Sequence, residues 1–401
     1  MNNATNTSFD SHINTLKLAH INELRNAKIQ AGIKSNNLKN PHKCANLLAF
    51  SGGTDSVALF FSLLNAKVDF DIAIVDYGLR AQSKAEVAYA KELATKYNKQ
   101  CFIKKSPKIT ANFEAEARNF RYEFFECLIA DFGYENLVLA HHFNDKAEWL
   151  FMQLSKGAGL STMLGFEALE TRQNGLIKKE VKYNIIRPML SLQKRDILDF
   201  CDKLGLKFFI DSSNADMAYK RNFMRHQFAD FFVEHFGAGL QKSIAILTGE
   251  KRCFYSGEIT DFGDFWIINA NNTLQALHCI DNLAKQNGYV LSFKQREEIV
   301  RCGFSCEVGG GKSTSKIGGK NILAKKGFVL ERLKVSHNAE KLFMGKKCEK
   351  TADTKQAMPK DFREFARKSR IPKRMRKYLY AFAKRKKLSY KEAFNTIVKE
   401  S

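Results

Sequence analysis

Leu47–Leu59 reads LLAFSGGTDSVAL. An apolar run stops at Ser51–Gly53, meets Asp55 and turns apolar again. That order predicts a buried strand, a tight turn and a helix. Gly52 and Gly53 let backbone approach a ligand closely, while Ser51, Thr54 and Ser56 add hydroxyls beside it. Backbone N–H groups at a helix start favour an anion, so the turn is a candidate phosphate cradle. It holds no Lys and is therefore not a Walker loop. A plain strand–helix turn would explain S-G-G alone; S-G-G-T-D-S in this setting asks for phosphate. A second glycine-rich stretch, VGGGKSTSK at Val308–Lys316, has Cys306 where a Walker loop needs its first Gly. No apolar helix follows it, and it reads as a Gly-rich β-hairpin.

Outward from the first loop, short apolar runs alternate with helical patterns. Strands are predicted at Ala45–Phe50, Phe70–Val75, Cys101–Ile103, Leu137–Ala140 and Ile185–Pro188. Helices are predicted at Ser56–Asn65, Lys84–Tyr97, Phe113–Ala130, Asp145–Ser155 and Leu192–Leu204. The alternation predicts a doubly wound parallel α/β sheet, whose ligands bind beyond the carboxyl ends of its strands. Phe208–Asn222 reads as a polar loop and 228–255 as helical and linker-like. Helices at Leu274–Asn287 and Lys294–Arg301 precede a β-rich stretch, Cys306–Leu333, and 336–358 reads as a polar linker. The expected domains are an N-terminal extension, 1–44, with a helix at Ile13–Asn26 packed on the core; a nucleotide-binding catalytic domain, 45–227; a helical linker plus an α+β, nucleic-acid-binding C-terminal domain, 228–335; and a linker with a basic helical tail, 336–401.

The 401 residues carry a formal net charge of +23, which speaks for a polyanionic partner. No apolar stretch is long enough to span a membrane, and Met1–His12 lacks the basic and apolar regions of a signal peptide. The expected compartment is the cytoplasm. Nine scattered cysteines without a C-x-x-C pair read as buried thiols rather than ligands. Oligomeric state is left open, a homodimer included.

Several polar residues fall near the expected ligand edge. Asp145 and Glu148, three apart on a helix, face one way and could hold a cationic amine or take its proton. Periodicity alone reads them more simply as a solvated helix face. His141 and His142 lack further ligands at zinc spacing, which favours packing or nucleotide contact. Glu114, Arg118 and Arg121 fit an intrahelical ion-pair ladder or a functional face. Asn222 could cap a helix.

The SGGTDS run resembles the PP-loop ATP pyrophosphatase family, whose members cleave ATP between the α- and β-phosphates. Four further stretches narrow the resemblance: VDYGLR (Val75–Arg80), FEAEARNFRY (Phe113–Tyr122), AHHFNDKAEW (Ala140–Trp149) with LSKGAGLSTMLGF after it, and RPML with DSSNADMAYKRNFMR (Arg187–Leu190, Asp211–Arg225). In this order they are similar to the tRNA(Ile)-lysidine synthetase family. The resemblance implies ATP-dependent joining of L-lysine to C2 of the wobble cytidine in the CAU anticodon of tRNA(Ile). It implies an adenylated intermediate, release of AMP and pyrophosphate, and a change of identity from methionine to isoleucine.

By that resemblance Ser51, Gly52, Gly53, Thr54, Asp55, Ser56 and His141 bind ATP, and Asp55 helps hold its Mg2+. Asp145 and Glu148 bind lysine, Arg121 meets phosphate or adenylate, and Arg225 serves the α-phosphate or the transition state. Asp211–Asn214 shape the site. The chain departs from the family pattern A-H-H-x-D-D-Q-x-E-T at Asn144, Lys146 and Trp149, for which no direct catalytic role is expected.

Residues 355–401 hold sixteen Lys/Arg against four Asp/Glu. Phe362, Phe365, Ile371, Met375 and Leu379 recur among the charges, which predicts packed helices broken near Pro372. Arg363, Arg367, Lys368, Arg370, Lys373 and Arg374 are the expected tRNA-phosphate contacts. Rival readings are a PP-loop tRNA thiolase, which would want catalytic cysteines, a small-molecule amidating synthetase, and a catalytically silent RNA-binding relative.

Overall fold

The computed structural model describes residues 16–27, 44–78, 81–110, 112–173, 181–210, 220–287, 289–308, 313–317, 320–324, 327–334, 340–346 and 358–399. The chain divides into two compact units, Met1–Thr248 and Gly249–Ser401.

In the first unit α1 (Ile21–Asn26) precedes β1 (Asn46–Ala49), α2 (Thr54–Asn65), β2 (Asp71–Asp76), α3 (Ala81–Lys96) and β3 (Cys101–Lys105). Then come α4 (Phe113–Phe132), β4 (Asn136–Val138), α5 (Phe143–Leu154), α6 (Leu160–Met163), β5 (Leu169–Gln173), β6 (Lys182–Ile186) and α7 (Lys194–Lys203). A short α8 (Lys220–Met224) runs through a π-helical turn, Arg225–Ala229, into α9 (Asp230–Phe254). The sheet order is β3-β2-β1-β4-β6-β5. All neighbours pair parallel except the edge strand β5.

Alternation along each strand sends its side chains to two cores. Leu48, Ile72, Ile74, Val138 and Ile186 pack with Val57, Phe60, Leu93, Ile197 and Phe200 from α2, α3 and α7. Leu47, Ala73, Leu137 and Ile185 pack with Tyr122, Phe125, Leu128 and Ile129 from α4. Burial on both faces explains why these strands read as unbroken apolar runs. Polar side chains bridge neighbouring strands within the sheet: Asn184 donates to Asn136 and Asn136 to Asn46, at 3.1 and 2.8 Å. The bridging asparagines are also paired in register, which resists slippage. The doubly wound sheet is as the sequence predicts. The sheet reverses direction of winding between β1 and β4, and the loops after these two strands bound the crevice.

Leu24 on α1 is buried in the first core, as expected of a helix in the extension 1–44, though the helix is confined to Ile21–Asn26 among the described residues; residues 13–15 lie outside them. Some boundaries differ. Lys220–Met224, placed by sequence in a polar loop and the stretch just after it, is helical, and 211–219 lie outside the described residues. Asn222 therefore sits within a helix rather than at its N-cap. The two units divide at 248/249, well past the expected boundary at 227/228.

The second unit is built on β7 (Glu258–Asp261), β8 (Phe265–Asn269), α10 (Thr273–Gln286), α11 (Phe293–Arg301) and β9 (Glu307–Val308). It continues through β10 (Ser313–Ile317), β11 (Lys320–Ala324), β12 (Phe328–Lys334), β13 (Glu340–Lys346), α12 (Lys360–Lys368), α13 (Arg376–Lys386) and α14 (Tyr390–Lys399). Its five-stranded sheet runs β7-β8-β13-β12-β9 and is antiparallel throughout. β10 and β11 form the hairpin expected from the Gly/Lys stretch, so Ser313 enters a strand and not a phosphate-binding helix.

Two sequence expectations are corrected here. The segment 336–358 is not simply a linker: β13 lies in the middle of the sheet, with Phe343, Met344 and Gly345 buried. Nor is the basic C-terminal stretch an appendage. Phe362, Ile371, Met375, Leu379 and Phe382 pack against Phe265, Ile267, Leu333 and Phe343 on one sheet face. The other face carries α10 and α11 through Ile280, Leu283 and Ile299 against Trp266, Ile268 and Met344. Tyr378 is seated over Gly345, where a Cβ would come within 2.6 Å of its ring, and its hydroxyl donates to the Lys346 carbonyl. Residues 228–335 and 336–401 thus do not form the two expected domains; from residue 249 they build one three-layer unit.

Candidate active site

The loop after β1 is organised by its own hydroxyls. Ser56 Oγ donates to the Gly53 carbonyl at 3.0 Å and accepts from the Ser51 backbone N–H at 3.2 Å. Gly52 has φ +79°, a conformation that disfavours any side chain, and a Cβ there would also press on Glu86 and Phe209 at 3.4 Å. The Phe209 N–H donates to the Gly52 carbonyl at 3.0 Å, so the segment after α7 clamps the turn from outside. Gly53 then opens α2 as its N-cap. The early N–H groups of a twelve-residue helix face the loop, the arrangement that receives phosphate.

Asp55 stands in the first turn of α2. Its Oδ1 accepts from Lys194 Nζ, and its Oδ2 lies 3.7 Å from His142 Nε2. The same His142 nitrogen lies 3.6 Å from Asp145 Oδ2. Asp145 in turn accepts from the His142 backbone N–H at 3.0 Å and from Arg225 Nη2 at 2.8 Å. Arg225 Nε donates to Glu148 at 2.7 Å, and Arg221 joins Glu148 to Glu114, the latter at 3.0 Å. Acids and bases alternate from Lys194 to Glu114. The chain of charges links the phosphate loop to the first turns of α5.

Asp145 and Glu148 are buried and Asp55 partly so, and cations face all three. Burial alone would raise the Asp145 pKa, but His142, His141 and Arg225 together hold it below the usual carboxylate range. Asp55 is likewise depressed: burial opposes it, while His142 and Lys194 outweigh that. Burial would neutralise His142, but Asp145 and Asp55 hold its pKa above the ordinary value. His142 Nδ1 is buried without a hydrogen-bond partner among the described residues. His141 goes the other way. Burial pushes it down to about 4, with Arg187 and Arg118 assisting against Asp145. Its Nδ1 accepts from Arg187 Nε at 3.3 Å, and its ring lies 5.0 Å from Phe166.

The structure brings together Asp55, Asp145, Glu148 and Arg225 from the sequence-based set, with His141 beside them. Arg121 stands apart. It is exposed on α4, near Tyr77, whose phenol pKa is pushed up by burial against the opposing pull of Arg121, and it makes no ion pair with the described residues. The expected ladder from Glu114 to Arg121 does not form: Glu114 pairs across to Arg221, and Arg118 lies over the Tyr122 ring at 4.9 Å. Asp211–Asn214 lie outside the described residues. Sequence reasoning missed Lys194, and gave no role to His142 as the link between two carboxylates. Lys194 is separated from Asp55 by 139 positions and no local pattern joins them.

Asn144 and Trp149 act on positions rather than on the pocket. Asn144 accepts from the Lys194 backbone N–H at 3.1 Å and donates to Asp230 at 2.7 Å, tying together α5, α7 and α9. Trp149 Nε1 donates to the Thr162 carbonyl at 3.0 Å and lies where a Cβ on Gly165 would stand.

In the second unit Arg363, Arg367, Lys368, Arg370, Lys373 and Arg374 are all exposed. Arg374 pairs with Glu331 at 3.0 Å and Lys368 with Glu364 at 2.8 Å. The other four make no ion pair with the described residues and face solvent. The described cysteines are free thiols.

The PP-loop domain family model matches residues 25–231, just over half of the chain. A tRNA(Ile)-lysidine synthase of Helicobacter pylori is 42% identical over 338 residues, covering 84% of this chain and 89% of its own. One from Helicobacter hepaticus is 37% identical, covering 84% of this chain and 81% of its own. One from Campylobacter jejuni is 38% identical, covering 84% and 93%.

Proposed function

The chain belongs to the tRNA(Ile)-lysidine synthase family, and from that premise we propose how its own residues divide the labour of making lysidine with ATP. It is a ligase and a tRNA-modifying enzyme with a PP-loop domain. Ser51–Ser56 hold the phosphates of ATP against the start of α2. Mg2+ takes one or two carboxylates together with substrate phosphates, and Asp55 is a single carboxylate at that place, already facing cations. Bound there with ATP, the ion neutralises phosphate charge. No described helix is long and apolar enough to cross a membrane, and the reading places the enzyme in the cytoplasm with tRNA.

The observation that carries the lysine assignment is the buried pair Asp145 and Glu148, each facing an arginine. Asp145 is kept ionised and both carboxylates are oriented by internal cations, so an incoming ε-ammonium finds a prepared acidic pair. An amine must lose a proton to attack C2, and one of the two carboxylates receives it. Asp145, depressed below its usual range, is suited to holding the ammonium, which leaves proton transfer to Glu148. Arg225 touches both carboxylates and reaches from the π-helical turn, where it can pass from them to the α-phosphate. Arg121, exposed and without a described ion-pair partner, remains available to phosphate. The exposed arginines and lysines of α12 and its following turn grip the tRNA backbone, which positions the RNA without reading it.

The test is incorporation of radiolabelled L-lysine into CAU-anticodon tRNA(Ile) in the presence of ATP and magnesium, with methionine tRNA as control. Label in the isoleucine tRNA alone, with AMP and pyrophosphate released, is the expected result. Sulfur or ammonia serving as nucleophile in place of lysine would overturn it. Light scattering on the same preparation reads whether the working form is a monomer or a homodimer.

A further inference from the structure

The phosphate loop contains no lysine, yet an ammonium stands at it. We propose that Lys194 is a catalytic residue that grips the β- and γ-phosphates of ATP and carries the charge of pyrophosphate as it leaves. This rests on the reading of Ser51–Ser56 as the ATP loop.

Lys194 is the first residue of α7 and is fixed from both ends. Its backbone N–H donates to Asn144, which is itself held by Asp230. The helix behind it packs on α2, with Ile197, Phe200 and Cys201 in the same core as Val57 and Ala58. Cys201 Sγ also reaches the Thr54 carbonyl at 3.9 Å. The lysine is therefore aimed at the start of α2 by the fold and not by the local sequence. Its side chain is 32% exposed, so an incoming phosphate can reach the ammonium.

The charges facing it explain why it waits there. Asp55 is its direct partner, and the other cation on Asp55 is His142. When a phosphate carrying its own cation arrives, Asp55 can turn to that cation and Lys194 to a phosphate oxygen. Each group exchanges one opposite charge for another, so neither is left bare in a half-buried place. Asn144 gains a function from the same geometry: it positions the lysine without touching substrate.

In the adenylation step the C2 oxygen of cytidine attacks the α-phosphorus. A new phosphorus–oxygen bond forms and the bond to the oxygen bridging to the β-phosphate breaks. The electron pair of that bond leaves on pyrophosphate. Lys194 stays protonated throughout and neutralises the growing charge, the role preorganised cations play in phosphoryl and nucleotidyl transfer.

The experiment is calorimetric binding of inorganic pyrophosphate, with magnesium, to the full chain and to Lys194→Met and Lys194→Arg. AMP binding and thermal melting are measured alongside. Lys194→Met is expected to raise the pyrophosphate dissociation constant about tenfold or more, the effect of one charge-assisted contact, with AMP binding unchanged. Lys194→Arg should restore most of the affinity. Pyrophosphate release in the complete reaction should slow by roughly 100-fold in Lys194→Met. Equal pyrophosphate affinity in wild type and Lys194→Met, with only the melting temperature lowered, would make the lysine a structural partner of Asp55 and overturn the proposal alone. A wild type that binds no pyrophosphate would overturn the reading of the loop together with it.

Discussion

Residues 1–248 contain 32 Lys/Arg and 26 Asp/Glu, whereas residues 249–401 contain 33 and 16. The first unit spends its charges on one another. Its acids and bases interlock across α2, α4, α5, α7 and the π-helical turn, and burial of Asp145 and Glu148 makes their pairings consequential. The second unit leaves Arg363, Arg367, Arg370 and Lys373 facing water, where isolated cations cost little and attract polyanions. The difference teaches that one chain can use the same residue types for chemistry in one place and for attraction in another. Burial decides which.

Arg225→Ala should have the largest effect. It takes a cation from two buried carboxylates at once, leaving Glu148 with Arg221 and Asp145 with His142, and breaking a buried pair costs about 3–5 kcal/mol. Chemical denaturation of the first unit should show that loss, and lysine transfer should disappear with it. A variant of unchanged stability would mean that solvent already screens Asp145 and Glu148.

Gly345→Val tests the second unit as a packed body. The added side chain meets the Tyr378 ring, and overpacking of this kind costs about 1–3 kcal/mol. The melting transition of the second unit should fall, and the Michaelis constant for tRNA should rise. Pyrophosphate binding should stay as it was. An unshifted transition would show that α13 does not depend on the sheet beneath it.

Replacing Arg363, Arg367, Arg370 and Lys373 with Gln separates attraction from packing, because none of the four is buried. The Michaelis constant for tRNA should rise, and its dependence on salt should weaken by up to about 0.9 in logarithmic slope per lost phosphate contact. Melting should be unchanged. An unaltered salt slope would move the grip to other cations of the unit.

The smallest effect separates two adjacent histidines. His141 is neutral in the fold at pH values where the unfolded chain is protonated, between the ordinary 6.5 and about 4. Its contribution is complete above 6.5 and is lost as pH falls through that window. His142, held above its ordinary value, contributes fully below 6.5 and loses that contribution as pH rises through its raised value. His141→Gln should remove the acid-side loss and His142→Gln the alkaline-side loss. Each should appear as a melting shift of about 2–4 °C, the worth of roughly one kcal/mol in a unit of this size. The same loss on both sides in either variant would contradict the assignment.

The two units also differ in how plainly their sequence shows the fold. β1, β2, β3, β4 and β6 each lie close in sequence to a helix that covers the sheet, and burial on both faces leaves apolar runs in β1, β2 and β4. The SGGTDS turn and the Asp145–Glu148 pair are local patterns, so they too are legible. Lys194 is not, since its meeting with Asp55 depends on how α7 packs on α2. In the second unit, β13 pairs with β8 from 75 or so positions away, in a register such as Phe343 with Ile267. Its Leu342–Met344 core is short and set among charges, so composition hides it. The helices after it look like a basic tail for the same reason. Their apolar stripe was visible, but the sheet it covers was not.

The most direct test of the account separates the two half-reactions in Asp145→Asn, a near-isosteric change that removes the charge meant for the lysine ammonium. Full-length protein, ATP, magnesium and CAU-anticodon tRNA(Ile) are combined with radiolabelled L-lysine. Pyrophosphate release and label in RNA are followed together. The account predicts that the variant still releases pyrophosphate while lysine transfer falls by about a thousandfold or more. Lysine transfer at the wild-type rate and with the wild-type lysine Michaelis constant would contradict it, and would take Asp145 out of the lysine site.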